Sequence, residues 1–206
     1  MDVILFEPVC SNKIDQPERN VVSVLPGKNV LVIIPKSQFC QKELYGVKSE
    51  LAQRGVRVVV LSMSGQEARG MNKEKFQPDG MIVDWNKQPG VRGKYQAVVL
   101  IGGKGARKSL WDDPIVPQIL TDHHRSGSVI AAMGSAIVVL VRASLIAGEI
   151  PMPQDEVVQA ELESLNAVCI DAPVTCNGTV VCGQGAGSVA NFSQTVFDLI
   201  VADEVV

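Results

Sequence analysis

The chain has 206 residues, enough for one well-buried core, and its 46% hydrophobic and 20% charged residues are those of a globular protein. A formal net charge of -3 leaves no basic excess to neutralise phosphates, which argues against nucleic acid as the main partner. No apolar run reaches the roughly 18 residues of a membrane span, and Met1-Asp-Val-Ile-Leu-Phe-Glu-Pro has no positively charged leader, so a cytoplasmic protein without a membrane partner is expected.

In chain order, residues 1 to 28 read as an N-terminal extension joined through Pro26-Gly27, in which Val3 to Phe6 could add an edge strand. A single domain is expected over 29 to 206. Val30 to Ile34 reads as a buried strand, and Gln41 to Arg54 as a helix with Leu44, Val47 and Leu51 on one face, stopped by Gly55. Arg57 to Leu61 is the next strand, Met81 to Val83 a short one, and Ala97 to Ile101 a central one. A helix from Ile115 to Arg125 leads through Gly127 into the strand Val129 to Ala132, and the pattern turns helical again from Ile137 to Ala147. Glu156 to Leu165 is helical, and Val174 to Cys182 reads as a hairpin on the Asn177-Gly178 turn signal. A last helix runs from about Val189 to Val201. Apolar runs alternating with helical patterns predict an α/β fold: a mostly parallel central sheet with helices on both faces.

The five cysteines (Cys10, Cys40, Cys169, Cys176 and Cys182) show no CxxC spacing, so reduced thiols are expected. Packing is the expected role of Cys176 and Cys182. The only histidines, His123 and His124, are adjacent and have no ligand cluster beside them, so no metal site is expected. Gly183-Gln184-Gly185-Ala186-Gly187-Ser188 lacks the third fingerprint glycine, and Gly102-Gly103-Lys104-Gly105-Ala106 lacks the P-loop ending. No nucleotide or other cofactor is expected, although backbone amides near Lys104 could hold an anion.

The most informative stretch is Ser128-Val129-Ile130-Ala131-Ala132-Met133-Gly134-Ser135-Ala136, an apolar strand that ends in a small-residue corner and passes into a helix. In open α/β folds such a corner displays a nucleophile at the carboxyl end of the sheet. Here Gly134 stands at the exposed position.

Taken in order, Val30-Leu-Val-Ile-Ile-Pro, Glu43, Tyr95-Gln-Ala-Val-Val-Leu-Ile-Gly-Gly103, Ile130 to Ala136 and Asn177-Gly-Thr-Val-Val-Cys-Gly-Gln-Gly-Ala-Gly187 resemble the ThiJ/PfpI family of the class I glutamine-amidotransferase-like superfold. The resemblance covers roughly residues 29 to 200. It implies a flavodoxin-like three-layer sandwich, often dimeric, in a family that includes deglycases, glyoxalases, chaperones, peptidases and non-catalytic domains. It also implies site roles. Glu43 matches the carboxyl that hydrogen-bonds the family's cysteine thiolate, Gly102 and Gly103 match amides of an oxyanion pocket, Gly134 matches the cysteine itself, and Ser135 the residue after it. The histidine base has no counterpart between Gly148 and Leu165.

Glycine offers no atom for a covalent intermediate, so cysteine-dependent chemistry at this corner is excluded. Ser135 is not expected to replace it. The histidines precede the strand, and five extended residues at about 3.3 Å each set them roughly 15 Å from the corner. Ser135 is expected to cap the helix that follows, and the histidines to lie on a helix surface. Glu43 is open to two readings, a site carboxyl or an acidic residue favoured in a first helical turn. Cys40 is the one cysteine placed to face the corner, with packing as its other reading. The expected function is a dimeric, non-catalytic module that binds a small molecule or a protein through Glu43, Gly102, Gly103, Gly134 and Ser135. The alternatives are an enzyme using Glu43 as acid or base and an accessory structural domain.

Overall fold

The computed structural model describes residues 27–202 except Arg92 and Ala147. The expected strand at Val3 to Phe6, and all but the end of the expected extension, lie outside the described residues. The chain forms β1 (Asn29–Ile34), β2 (Ser37–Phe39), α1 (Gln41–Gln53), β3 (Arg57–Ser62), β4 (Ala68–Gly70), β5 (Lys75–Phe76), β6 (Gly80–Met81) and β7 (Ala97–Leu100). It continues with α2 (Ala106–Ser109), α3 (Val116–Arg125), β8 (Val129–Met133), α4 (Ile137–Arg142), β9 (Glu149–Pro151), α5 (Glu156–Ser164), β10 (Val168–Ile170), β11 (Val174–Asn177), β12 (Val180–Gly183) and α6 (Val189–Ala202).

Seven strands form the central sheet in the order β11-β12-β8-β7-β1-β3-β6. Only β11 is antiparallel to its neighbour; β8, β7, β1 and β3 run parallel and side by side, as their apolar runs predict. Along β1 the pleat sends Val30, Val32 and Ile34 to one face, where Leu44, Val47 and Leu51 of α1 and Phe192, Val196 and Ile200 of α6 cover them. Leu31 and Ile33 face the other way, into a core closed by Ile119 of α3, Val138 of α4 and Leu162 of α5. Each fully buried side chain of this kind contributes about 1.5–3 kcal/mol. The result is a three-layer α/β sandwich.

Local expectations fail where tertiary contacts overrule sequence pattern. The helix expected from Ile137 to Ala147 ends at Arg142, because Ser144 takes a left-handed conformation (φ 54) and the Leu145 amide donates back to the Leu140 carbonyl. The strand expected at Met81 to Val83 stops at Met81, and a 3-10 segment, Ile82–Lys87, carries Trp85 against Tyr95 and His123. The hairpin turns on Gly178-Thr179 rather than Asn177-Gly178, since Asn177 pairs with Val180 and Gly178 supplies the positive φ of 59. His123 is not a surface residue. It continues the buried face of α3 after Val116, Ile119 and Leu120, is 0% exposed, and makes a 2.7 Å hydrogen bond between Nδ1 and the Ile119 carbonyl. His124 is exposed.

Among the described residues, no helix is long and apolar enough to cross a membrane, and no three His, Cys, Asp or Glu side chains gather where they could hold a metal ion.

Candidate functional site

Strand β8 remains extended through Met133, and the chain then turns at Gly134 with φ 51 into a 3-10 turn, Gly134–Ala136, that runs on into α4. That conformation strains any residue with a Cβ and costs glycine little, so glycine suits the turn. A Cβ built on Gly134 would lie 3.2 Å from Glu43 Oε1, 3.8 Å from the Gln184 carbonyl oxygen and 4.0 Å from Gly185 Cα. The elbow therefore points at a carboxyl group.

Glu43 sits in the first turn of α1 and is 4% exposed. Its Oε2 accepts a 2.8 Å hydrogen bond from the Gly102 amide, and the Cys40 thiol also donates to the carboxyl. Burial pushes the Glu43 carboxyl up to about 7, against the opposing pull of the Gly102 amide and the Cys40 thiol. Burial and the Glu43 charge together raise Cys40, which keeps its thiol protonated and poorly nucleophilic. Glu43 thus lies in the first turn of α1 and also lines the cavity described below.

The amides expected to form an oxyanion pocket are engaged within the protein. Gly102 N–H donates to Glu43, and Gly103 N–H donates to Ser135 Oγ at 2.9 Å while the same hydroxyl donates to the Gly103 carbonyl at 2.8 Å. Ser135 is therefore not a helix cap: its hydroxyl clamps the loop after β7 to the elbow. Gly103 thus takes up both its donor and an acceptor role. Gly103, at φ 116, must be glycine, since a Cβ there would come within 2.4 Å of the Gln38 carbonyl oxygen and 2.6 Å of the Cys40 nitrogen.

Glu43, Gly103, Gly134 and Ser135 converge on one cavity of about 360 Å³ at the carboxyl end of the sheet, with Cys40 on its wall. Gly102 stands just behind it, held by Glu43. The rest of the lining comes from segments that the sequence reading left out of the site: Met71, Lys104, Arg107, Trp111, Pro153 to Asp155, Val157 and Val158, and Gln184 to Ala186 after β12. Trp111 is set by a 2.8 Å bond from Nε1 to the Ser135 carbonyl and by the Arg142 guanidinium 5.4 Å from its ring centroid. Asp155 caps α5, accepting from the Val157 and Val158 amides at 2.9 and 3.3 Å. The glycine loop dismissed as a nucleotide fingerprint is thus a wall of the cavity. Its place directly after β12, at the same sheet end as Gly134, was the signal available for finding it.

The chain matches the DJ-1/PfpI family over residues 28–199. The chain belongs to that family. It is 25% identical over 179 residues to an uncharacterized protein of Methanocaldococcus jannaschii, covering 86% of this chain and 82% of that one. Drosophila melanogaster DJ-1alpha is 26% identical over 181 residues, covering 87% and 80%. Two solved structures share the DJ-1/PfpI fold: a ThiJ/PfpI domain protein from Brachyspira murdochii (TM-score 0.75, 20% identity, 86% of this chain and 98% of that one) and Drosophila melanogaster DJ-1beta (TM-score 0.70, 21% identity, 87% and 98%). The resemblance drawn from five sequence motifs is thereby shown as membership, and the flavodoxin-like architecture with it.

Proposed function

We propose that this chain is a non-catalytic binding member of the DJ-1/PfpI family, which holds a small molecule in the cavity over Gly134. The observation that carries the proposal is the elbow: its tip is a glycine aimed at a buried carboxyl, on the floor of an open cavity of about 360 Å³. That volume falls in the range of small-molecule sites, roughly 300–1,000 Å³. Covalent catalysis finds no support nearby, since Ser135 is hydrogen-bonded on both sides and the Cys40 thiol is held protonated.

Native mass spectrometry of untreated protein tests this reading, and reports any homodimer in the same spectrum. The expected spectrum contains a co-purified small molecule that is lost in Val157→Trp, a substitution at a half-exposed position on the cavity wall. Bare protein, or a bound molecule indifferent to Val157→Trp, would overturn it.

A second reading has one observation in its favour. A carboxyl that titrates at about 7 is suited to general acid or base chemistry. It predicts turnover of a small carbonyl or ester substrate that Glu43→Gln abolishes. Such turnover would replace the binding proposal with an enzyme.

A further inference from the structure

Four charged residues line the cavity: Glu43, Lys104, Arg107 and Asp155. The two carboxylates are already used. Glu43 is bonded to the Gly102 amide and the Cys40 thiol, and Asp155 to the two amides at the start of α5. The cations are not used: among the described residues, neither the Lys104 nor the Arg107 side chain makes a hydrogen bond or ion pair, whereas Arg142 close by is matched by both Asp112 and Glu161. Both of these cations are exposed and line the cavity.

Much of the remaining lining is apolar. Trp111, Pro153 and Val158 contribute carbon surface, and Met71 and Val157 are 46% and 50% exposed there. Apolar side chains left open beside a concave site mark a surface that a ligand covers.

From this juxtaposition we infer that the cavity takes an amphipathic organic carboxylate, its charged end paired with Lys104 and Arg107 and its carbon chain laid along Trp111, Met71 and Val157. The inference rests on the binding reading above and names the ligand class. Two physical points favour a carboxylate over an amine or a neutral molecule. The guanidinium fork matches a carboxylate in two parallel hydrogen bonds. An ammonium group would meet two positive charges that no carboxylate pairs among the described residues.

Hexanoate, hexanamide and hexylamine share one apolar chain and differ in charge. Calorimetric titration of the purified chain with each should show hexanoate binding about tenfold or more tightly than hexanamide, as a charge-assisted bond exceeds a neutral one, and hexylamine weakest. The double variant Lys104→Glu/Arg107→Glu alters only exposed side chains and should remove the preference for hexanoate over hexanamide. Equal affinity for hexanoate and hexanamide in the parent, or a preference for hexanoate that survives the double variant, would overturn the inference. If hexanamide binds as well as hexanoate and Val157→Trp blocks both, the cavity still binds small molecules and only the anion is wrong. If none of the three binds at millimolar concentration, the inference falls, and native mass spectrometry decides the wider reading on its own.

Discussion

The Glu43 carboxyl and the Gly102 amide are joined by a 2.8 Å hydrogen bond that crosses from the first turn of α1 to the end of the central strand β7. This bond occupies one carboxyl oxygen and leaves the other, Oε1, facing Gly134. A buried acid thus lies directly under the elbow, with its titration pushed up to about 7 by burial.

The first prediction concerns pH. A carboxyl near 4.5 in the unfolded chain and about 7 in the folded one binds its proton more tightly when folded. Stability from this group is therefore full below about 4.5 and is lost as pH rises toward 7, by a total of about 3 kcal/mol. Glu43→Gln keeps an oxygen for the Gly102 amide and cannot ionise. Urea unfolding at pH 5 and pH 8 should show the variant gaining on the parent at the higher pH; an equal difference at both values would contradict the assignment.

A second prediction has the opposite slope. Burial lowers His123, whose Nε2 has no hydrogen-bond partner among the described residues and whose ring packs 4.8 Å from the Trp85 centroid. The folded state binds this proton less readily than the unfolded chain, so the stability contribution holds above about 6.5 and falls as pH drops below it. His123→Phe preserves the ring and removes the titration. Thermal melts at pH 7 and pH 5 should show the variant close to the parent at pH 7 and less acid-sensitive; acid sensitivity equal to the parent's would sink the account.

The third prediction tests the clamp between Ser135 and Gly103. Ser135→Ala leaves the Gly103 amide and carbonyl without the hydroxyl that serves both, which costs about 1–3 kcal/mol. Hydrogen exchange at Gly103 should accelerate, while amides at the start of α4 should not respond, because Ser135 does not cap that helix. Faster exchange confined to α4 would restore the capping role.

The fourth prediction places a thiol on the elbow. Gly134→Cys puts a Cβ 3.2 Å from Glu43 Oε1 at a φ of 51, and so destabilises the fold by about 1 kcal/mol or more. The new thiol and Glu43 share one proton, and the carboxyl, which holds its own proton up to about 7, donates it to the thiolate. Iodoacetamide should alkylate this position below the usual thiol titration of about 8.5 and faster than Cys40 or the deeply buried Cys182. A folded variant whose new thiol titrates at or above that value would show an ordinary turn.

Much of the architecture was legible in local pattern. The apolar runs at Val30 to Ile34, Arg57 to Leu61, Ala97 to Ile101 and Val129 to Ala132 could be buried on both faces only as inner parallel strands, and they are neighbours in the sheet. Gly134 at the end of one such run, and Glu43 in the first turn of a helix, could be placed by chain order alone. Even the burial of His123 had a local sign, since it lies seven residues after Val116 on the apolar face of α3. The adjacent pair of histidines masked it.

The partners of the polar groups were a different matter. Gly102 reaches Glu43 across 59 residues of sequence and Gly103 reaches Ser135 across 32, and both pairings exist because the sheet order brings β7 between β1 and β8. Hydrophobic periodicity is a property of a single element and can be read from the chain. Hydrogen-bond partners, the protonation of a buried carboxyl and the walls of a cavity depend on which elements meet, so folding alone decided that the expected oxyanion amides are spent inside the protein and that Asp155 and Gln184 border the same space as Gly134.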